Sequence, residues 1–125
     1  MTPLIRASAG YPLRPALAIL FAVVLAAACQ AAAPITPVAT SQVDLPRSYK
    51  FAPKAITVSV GTTVTWTNND NFTHSVRLLG SGETQMMKPG ESVTHAFPTA
   101  GLYQYDCSLH PKDMQGSVLV GAGTE

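Results

Sequence analysis

Charge is scarce in this chain. Only 12% of the 125 residues are charged, and the formal net charge is +1. No clustered basic face is available for nucleic acid, whose phosphates demand one. Strong long-range steering toward a charged partner is excluded on the same ground. Cysteine is nearly absent, with only Cys29 and Cys107, so no disulfide framework can staple the fold. A single bridge between them remains the plain alternative for an exported chain, but each has a better individual explanation. Long hydrophobic runs are missing save one near the start, and no later stretch carries a convincing helical period. No internal repeat is visible. The length leaves room for one ordinary domain.

The one apolar run reads as an export leader. Arg6 and Arg14 supply positive charge ahead of Ala16–Ala28. About 13 apolar residues are too few for a comfortable membrane span and suit a signal-peptide core. Small residues before Cys29 resemble the lipobox of bacterial lipoproteins, in which the cysteine is acylated and becomes the new N-terminus. Ala26 stands where that motif usually has Leu, so ordinary cleavage leaving a soluble periplasmic product stays open. The expected organisation is a signal peptide over 1–28 and a flexible Ala/Pro/Thr linker over 29–42. A folded domain over 43–121 and a short tail over 122–125 complete it. Without Arg6 and Arg14, six basic residues face seven acidic ones.

The domain reads as all-β. Ile56, Val58 and Val60 alternate with Thr57 and Ser59, and Val64 and Trp66 alternate with Thr63, Thr65 and Thr67. His74, Val76 and Leu78 share a face, as do Val93, His95 and Phe97, and then Tyr103, Tyr105 and Cys107. Val118 and Val120 close the series. Turn chemistry separates these runs at Gly61-Thr62, Asn68–Asn71, Lys88–Glu91 and Pro98–Gly101. Short β-branched runs at this spacing indicate a sandwich or barrel. About 80 residues make a small core, for which a metal staple is physically useful.

Strand alternation turns an imidazole, His74, and a thiol, Cys107, toward the core. His110 follows Cys107 by three residues and Met114 follows by seven. One Cys, two His and one Met match a trigonal His₂Cys copper site with a weak axial thioether. The soft sulfur donors favour Cu(I) and the imidazoles suit Cu(II). A fixed compromise between them needs little rearrangement when one electron moves. Three donors on one short loop are weakly selective alone; the fourth, from a distant strand, sets the geometry.

The segments Phe51-Ala52-Pro53, Val60–Asn68, His74-Ser75-Val76, Pro89–Ser92, Phe97, Gly101–Tyr103 and Cys107–Gly116 resemble plastocyanin-like cupredoxins, the type-1 or blue copper proteins. The resemblance covers nearly the whole domain. It implies a Greek-key β-sandwich with one copper ion at one end, equatorial roles for His74, Cys107 and His110, and an axial role for Met114. The Cys-to-Met spacing of seven falls between the eight usual in plastocyanins and the six of amicyanins. Gln115, at the longer spacing, is the alternative axial donor. In the outer shell the resemblance points to Ser75 and Ser108, with backbone amides donating to the cysteine sulfur. Ser75 also has the plain reading of an outward polar residue. Asp106 should face outward by alternation, where plant plastocyanins carry a tyrosine on a second electron route. Electrons are expected to pass instead at the His110 edge, among Leu109, Pro111 and Pro53.

The remaining candidates read as structural. His95 is expected to be a partly buried packing residue, Met86 and Met87 core residues, and Trp66 and Tyr103 packing aromatics. An enzyme is not expected. There is no His-x-His pair of the multicopper-oxidase kind, no second cysteine in the loop, and no open metal position for substrate. Two functions fit. One is a monomeric one-electron carrier between extracytoplasmic redox proteins, tethered by a lipid on Cys29. The other is a periplasmic copper chaperone or store using the same ligands.

Overall fold

The computed structural model describes residues 32–121 together with Pro3 and Gly10. Apart from Pro3 and Gly10, the expected signal peptide lies outside the described residues, as do Cys29 and the tail over 122–125. The folded unit starts at Pro34. Among the described residues it contains nine strands and no helix. These are β1 (Val38–Ala39), β2 (Gln42–Leu45), β3 (Ala55–Ser59), β4 (Thr63–Asn68), β5 (His74–Leu78), β6 (Thr84–Met87), β7 (Ser92–Ala96), β8 (Gly101–Asp106) and β9 (Gln115–Gly121). They form two sheets, a six-stranded one in the order β1-β3-β9-β8-β5-β6 and a three-stranded one in the order β2-β4-β7. The expected all-β sandwich is what the chain forms.

Alternation builds the core. In β4, Val64, Trp66 and Asn68 turn inward while the threonines face out. In β9, Gly116, Val118 and Val120 do the same. Leu45, Ile56, Val64, Trp66, Phe97, Tyr105 and Val118 lose essentially all contact with solvent. Each large apolar side chain so buried contributes roughly 1.5–3 kcal/mol. Aromatic edges interlock at the centre: Trp66 meets Tyr105 at 5.3 Å, and Tyr105 meets Phe51 at 4.8 Å between ring centroids. The Tyr105 ring lies so close to Gly116 that a Cβ there would collide with it, so no other residue fits at 116 without moving the ring. The Trp66 indole N–H and the Tyr105 hydroxyl reach no hydrogen-bond partner. Burial pushes the Tyr105 phenol up to about 12.

Three details differ from the sequence reading. Val38 and Ala39, inside the stretch expected as linker, pair in parallel with Ile56 and Thr57, and β2 starts at Gln42. A two-residue strand directly after Pro37 has too few residues to show a period. Met87 is buried as a core residue, but Met86, its neighbour on the opposite face of β6, is exposed. Asp106 lies on the outward face of β8 yet is buried, because Arg77 covers it. The guanidinium spans both carboxylate oxygens at 2.8 and 2.7 Å, and the cross-strand register places the two residues opposite each other. Arg77 is held more firmly protonated by this partner.

Candidate metal centre

Two neighbouring strands deliver the first donors. β5 runs antiparallel to β8, with Leu78 opposite Tyr105 and Arg77 opposite Asp106. His74 opens β5, and Cys107 follows the last residue of β8. The loop from Cys107 to Met114 folds on itself. The His110 N–H donates to the Cys107 carbonyl at 3.0 Å and the Met114 N–H to the His110 carbonyl at 2.9 Å. The Cys107 N–H then closes the loop on the Met114 carbonyl at 3.0 Å. Backbone hydrogen bonding, rather than side-chain packing alone, thus sets the path of the loop.

His74, Cys107 and His110 come together. Their donor atoms all lie within 4.8 Å of one another. Cys107 Sγ is 3.9 Å from His74 Nδ1 and 3.8 Å from His110 Nδ1. A first-row ion about 2.0–2.3 Å from nitrogen and sulfur, in a trigonal plane, holds such donors ~3.8 Å apart, so the cluster fits one ion. A thiolate and two imidazoles in that arrangement suit copper. Met114 is fully buried at the end of the loop. Gln115 is exposed, and its side-chain amide donates to the Pro111 carbonyl at 2.9 Å.

The surroundings of the sulfur are polar and ordered. The Ser75 N–H points at Cys107 Sγ at 3.4 Å and its hydroxyl lies 3.8 Å from the same atom. Ser75 Oγ accepts from the Ser108 N–H at 2.8 Å and meets the Ser108 hydroxyl at 2.8 Å. Ser75 is wholly buried. The outward reading of Ser75 is therefore set aside, because its side chain ties β5 to the loop.

Two residues at the site were not legible beforehand. Asp70 is 5% exposed, and its Oδ2 lies 2.9 Å from His74 Nε2. That hydrogen bond is the main reason its carboxyl sits below the usual carboxylate range, with the Asn71 N–H and the Arg47 charge adding to it against burial. An aspartate four residues before an inward histidine was the available signal, hidden in a turn that reads as solvated. Tyr49 packs edge-on against His110 at 4.8 Å and His74 at 5.7 Å, and stacks on Phe72 at 5.8 Å. Its φ of 50° is left-handed, a conformation costing roughly 1–2 kcal/mol, which these ring contacts offset. Nothing in the local sequence around Tyr49 announces it.

Leu109 is 50% exposed, Pro111 is exposed and His110 is half-buried, so the imidazole edge reaches a partly apolar surface also bearing Tyr49 and Phe72. His95 stays apart from the cluster, edge-on to Phe97 at 4.8 Å and 3.6 Å from Glu83.

Residues 16–120 match the cupredoxin-like domain family. The chain belongs to that family. A plastocyanin of Scenedesmus fuscus is 36% identical over 83 residues, covering 56% of this chain and 85% of that protein. An amicyanin of Paracoccus denitrificans is 36% identical over 77 residues, covering 57% of this chain but only 58% of its own length. A purple cupredoxin from Nitrosopumilus maritimus superposes with a TM-score of 0.58 at 30% identity, covering 64% of this chain and 98% of that one. This is the plastocyanin-like cupredoxin fold expected from the motifs. Family and donor set together make copper the cofactor of this cupredoxin.

Proposed function

We propose that this cupredoxin is a one-electron carrier with a mononuclear type-1 copper site, cycling Cu(I)/Cu(II) between redox proteins outside the cytoplasm. His74, Cys107 and His110 are its equatorial ligands in this reading, and Met114 is the axial one. The exposure and amide bonding of Gln115 favour Met114. The observation that carries the proposal is the buried Cys107 Sγ with an imidazole nitrogen 3.8–3.9 Å away on either side.

When bound, copper supplies a reversible one-electron couple. The protein's residues do the rest. His74, Cys107 and Met114 are fully buried and held by strands or backbone bonds, which limits rearrangement between oxidation states. The Ser75 and Ser108 groups support the ligand loop. Only the His110 edge meets the surface, beside Leu109 and Pro111, and it forms the electron entry and exit. This arrangement favours a carrier over a copper chaperone. Handing over an ion needs donors that a partner can approach, whereas passing an electron needs only one imidazole edge. The leader residues support export, and Cys29 is the proposed lipid anchor. Protein redox partners and a monomeric state complete the reading.

The test is direct. Cu(II) added to the reduced protein should give an intense visible thiolate-to-copper band that bleaches and returns with redox cycling, and Cys107→Ser should abolish it. Tight Cu(I) binding without that band, and ready release to a chelator, would favour the chaperone instead.

A further inference from the structure

The geometry points to Asp70 as the residue that fixes His74 as a ligand and lowers the copper potential from outside the coordination sphere. This inference rests on the copper reading above. It concerns a residue that neither the ligand motif nor the loop spacing singles out.

Asp70 occupies a built position. Its Oδ2 faces His74 Nε2 at 2.9 Å and its Oδ1 accepts from the Asn71 N–H at 2.6 Å. Its own N–H donates to Asn68 Oδ1 at 3.0 Å. Asn68, itself fully buried, donates from Nδ2 to the Phe72 carbonyl at 2.8 Å and the Met87 carbonyl at 3.1 Å. The turn between β4 and β5 is thereby laced to the end of β6. The carboxylate can move little relative to the imidazole.

Two consequences follow from the chemistry of this contact. An ionised carboxylate only accepts hydrogen bonds. The neutral His74 ring must therefore carry its proton on Nε2, leaving the Nδ1 lone pair toward Cys107 Sγ. The ring is held in its ligating tautomer before metal arrives. A carboxylate behind a ligating imidazole also raises that ligand's basicity. A more basic nitrogen stabilises Cu(II) over Cu(I), so the potential falls. His110 receives no such support: among the described residues, no side chain hydrogen-bonds its Nε2.

The experiment uses the full chain, with the thiolate-copper band recorded first on the unsubstituted protein. If that band is missing, the copper reading itself fails, and this role falls with it for a separate and visible reason. With the band present, Asp70→Asn isolates charge, because the amide oxygen still accepts from Nε2–H. Asp70→Ala removes both the charge and the anchor. In the metal-free protein, nitrogen-15 NMR should find His74 in the Nε2–H form in the wild type and in Asp70→Asn, and a tautomer mixture in Asp70→Ala. In the copper form, Asp70→Asn should change the Cu(I)-to-Cu(II) affinity ratio about tenfold, raising the potential by about 59 mV for a one-electron couple. If Asp70→Ala does not fold, Asp70→Asn alone decides. A wild-type His74 protonated on Nδ1 would overturn the inference. So would an Asp70→Asn protein less stable than wild type but unchanged in potential, since that is what a merely structural aspartate predicts.

Discussion

The two imidazoles of the site live in different worlds. His74 opens a strand, is fully buried, and is bonded on its far nitrogen to a buried carboxylate. His110 sits on a loop, is half-buried, and leans on the exposed Tyr49 ring. One half of the centre is built to hold geometry. The other half is built to be reached. A protein that passes electrons needs both, because a rigid site keeps reorganisation small while an accessible edge keeps the tunnelling path short.

The sharpest way to break this comparison is to delete each ring in turn. His74→Gly and His110→Gly should both lose the thiolate-copper band almost completely. Free imidazole should restore it in His110→Gly, where the gap opens to solvent, and not in His74→Gly, where the core closes over it. Equal rescue in absorption titrations would erase the distinction between the halves.

The next effect concerns the core beneath the site. Burial raises the Tyr105 phenol to about 12 in the folded protein, above the ordinary value of about 10. Folding therefore favours the neutral form. The stability tied to Tyr105 is complete below about pH 10 and falls as pH rises toward 12. Relative to Tyr105→Phe, the wild type should lose about 2–3 kcal/mol across that window, at about 1.4 kcal/mol per pH unit. Urea unfolding of both proteins from pH 9 to 12 measures this; parallel curves would show that Tyr105 is not sealed from water.

Smaller effects should separate holding from reaching. Ser75→Ala cuts the tie between β5 and the loop and should weaken copper binding about tenfold, read by competition with a chelator. Leu109→Glu places a charge beside the His110 edge. It should slow reduction by a protein partner several-fold through the encounter step, with the visible spectrum unchanged. A spectral change in Leu109→Glu, or a partner rate that stays the same, would move the electron path away from His110.

How much of this was legible in the sequence depended on how local each signal was. Val64 and Trp66, or Val118 and Val120, show their inward face through period two alone. Cys107, His110 and Met114 lie on one loop, so their spacing speaks for itself, and His74 is marked by alternation with Val76 and Leu78. Tyr49 and Asp70 reach the site through turns whose placement depends on the assembled sandwich. No periodicity reports such placement. Asp106 shows the same limit in another form. Alternation put it on the outward face, where it is, but only the register with Arg77 explains why it is buried there.

X-ray absorption at the copper edge tests the central claim most directly. The loaded protein should show one copper per chain with one short sulfur and two nitrogen scatterers, retained when the ion is reduced. A first shell of nitrogen and oxygen alone, or loss of an imidazole on reduction, would contradict a single ion held between Cys107, His74 and His110.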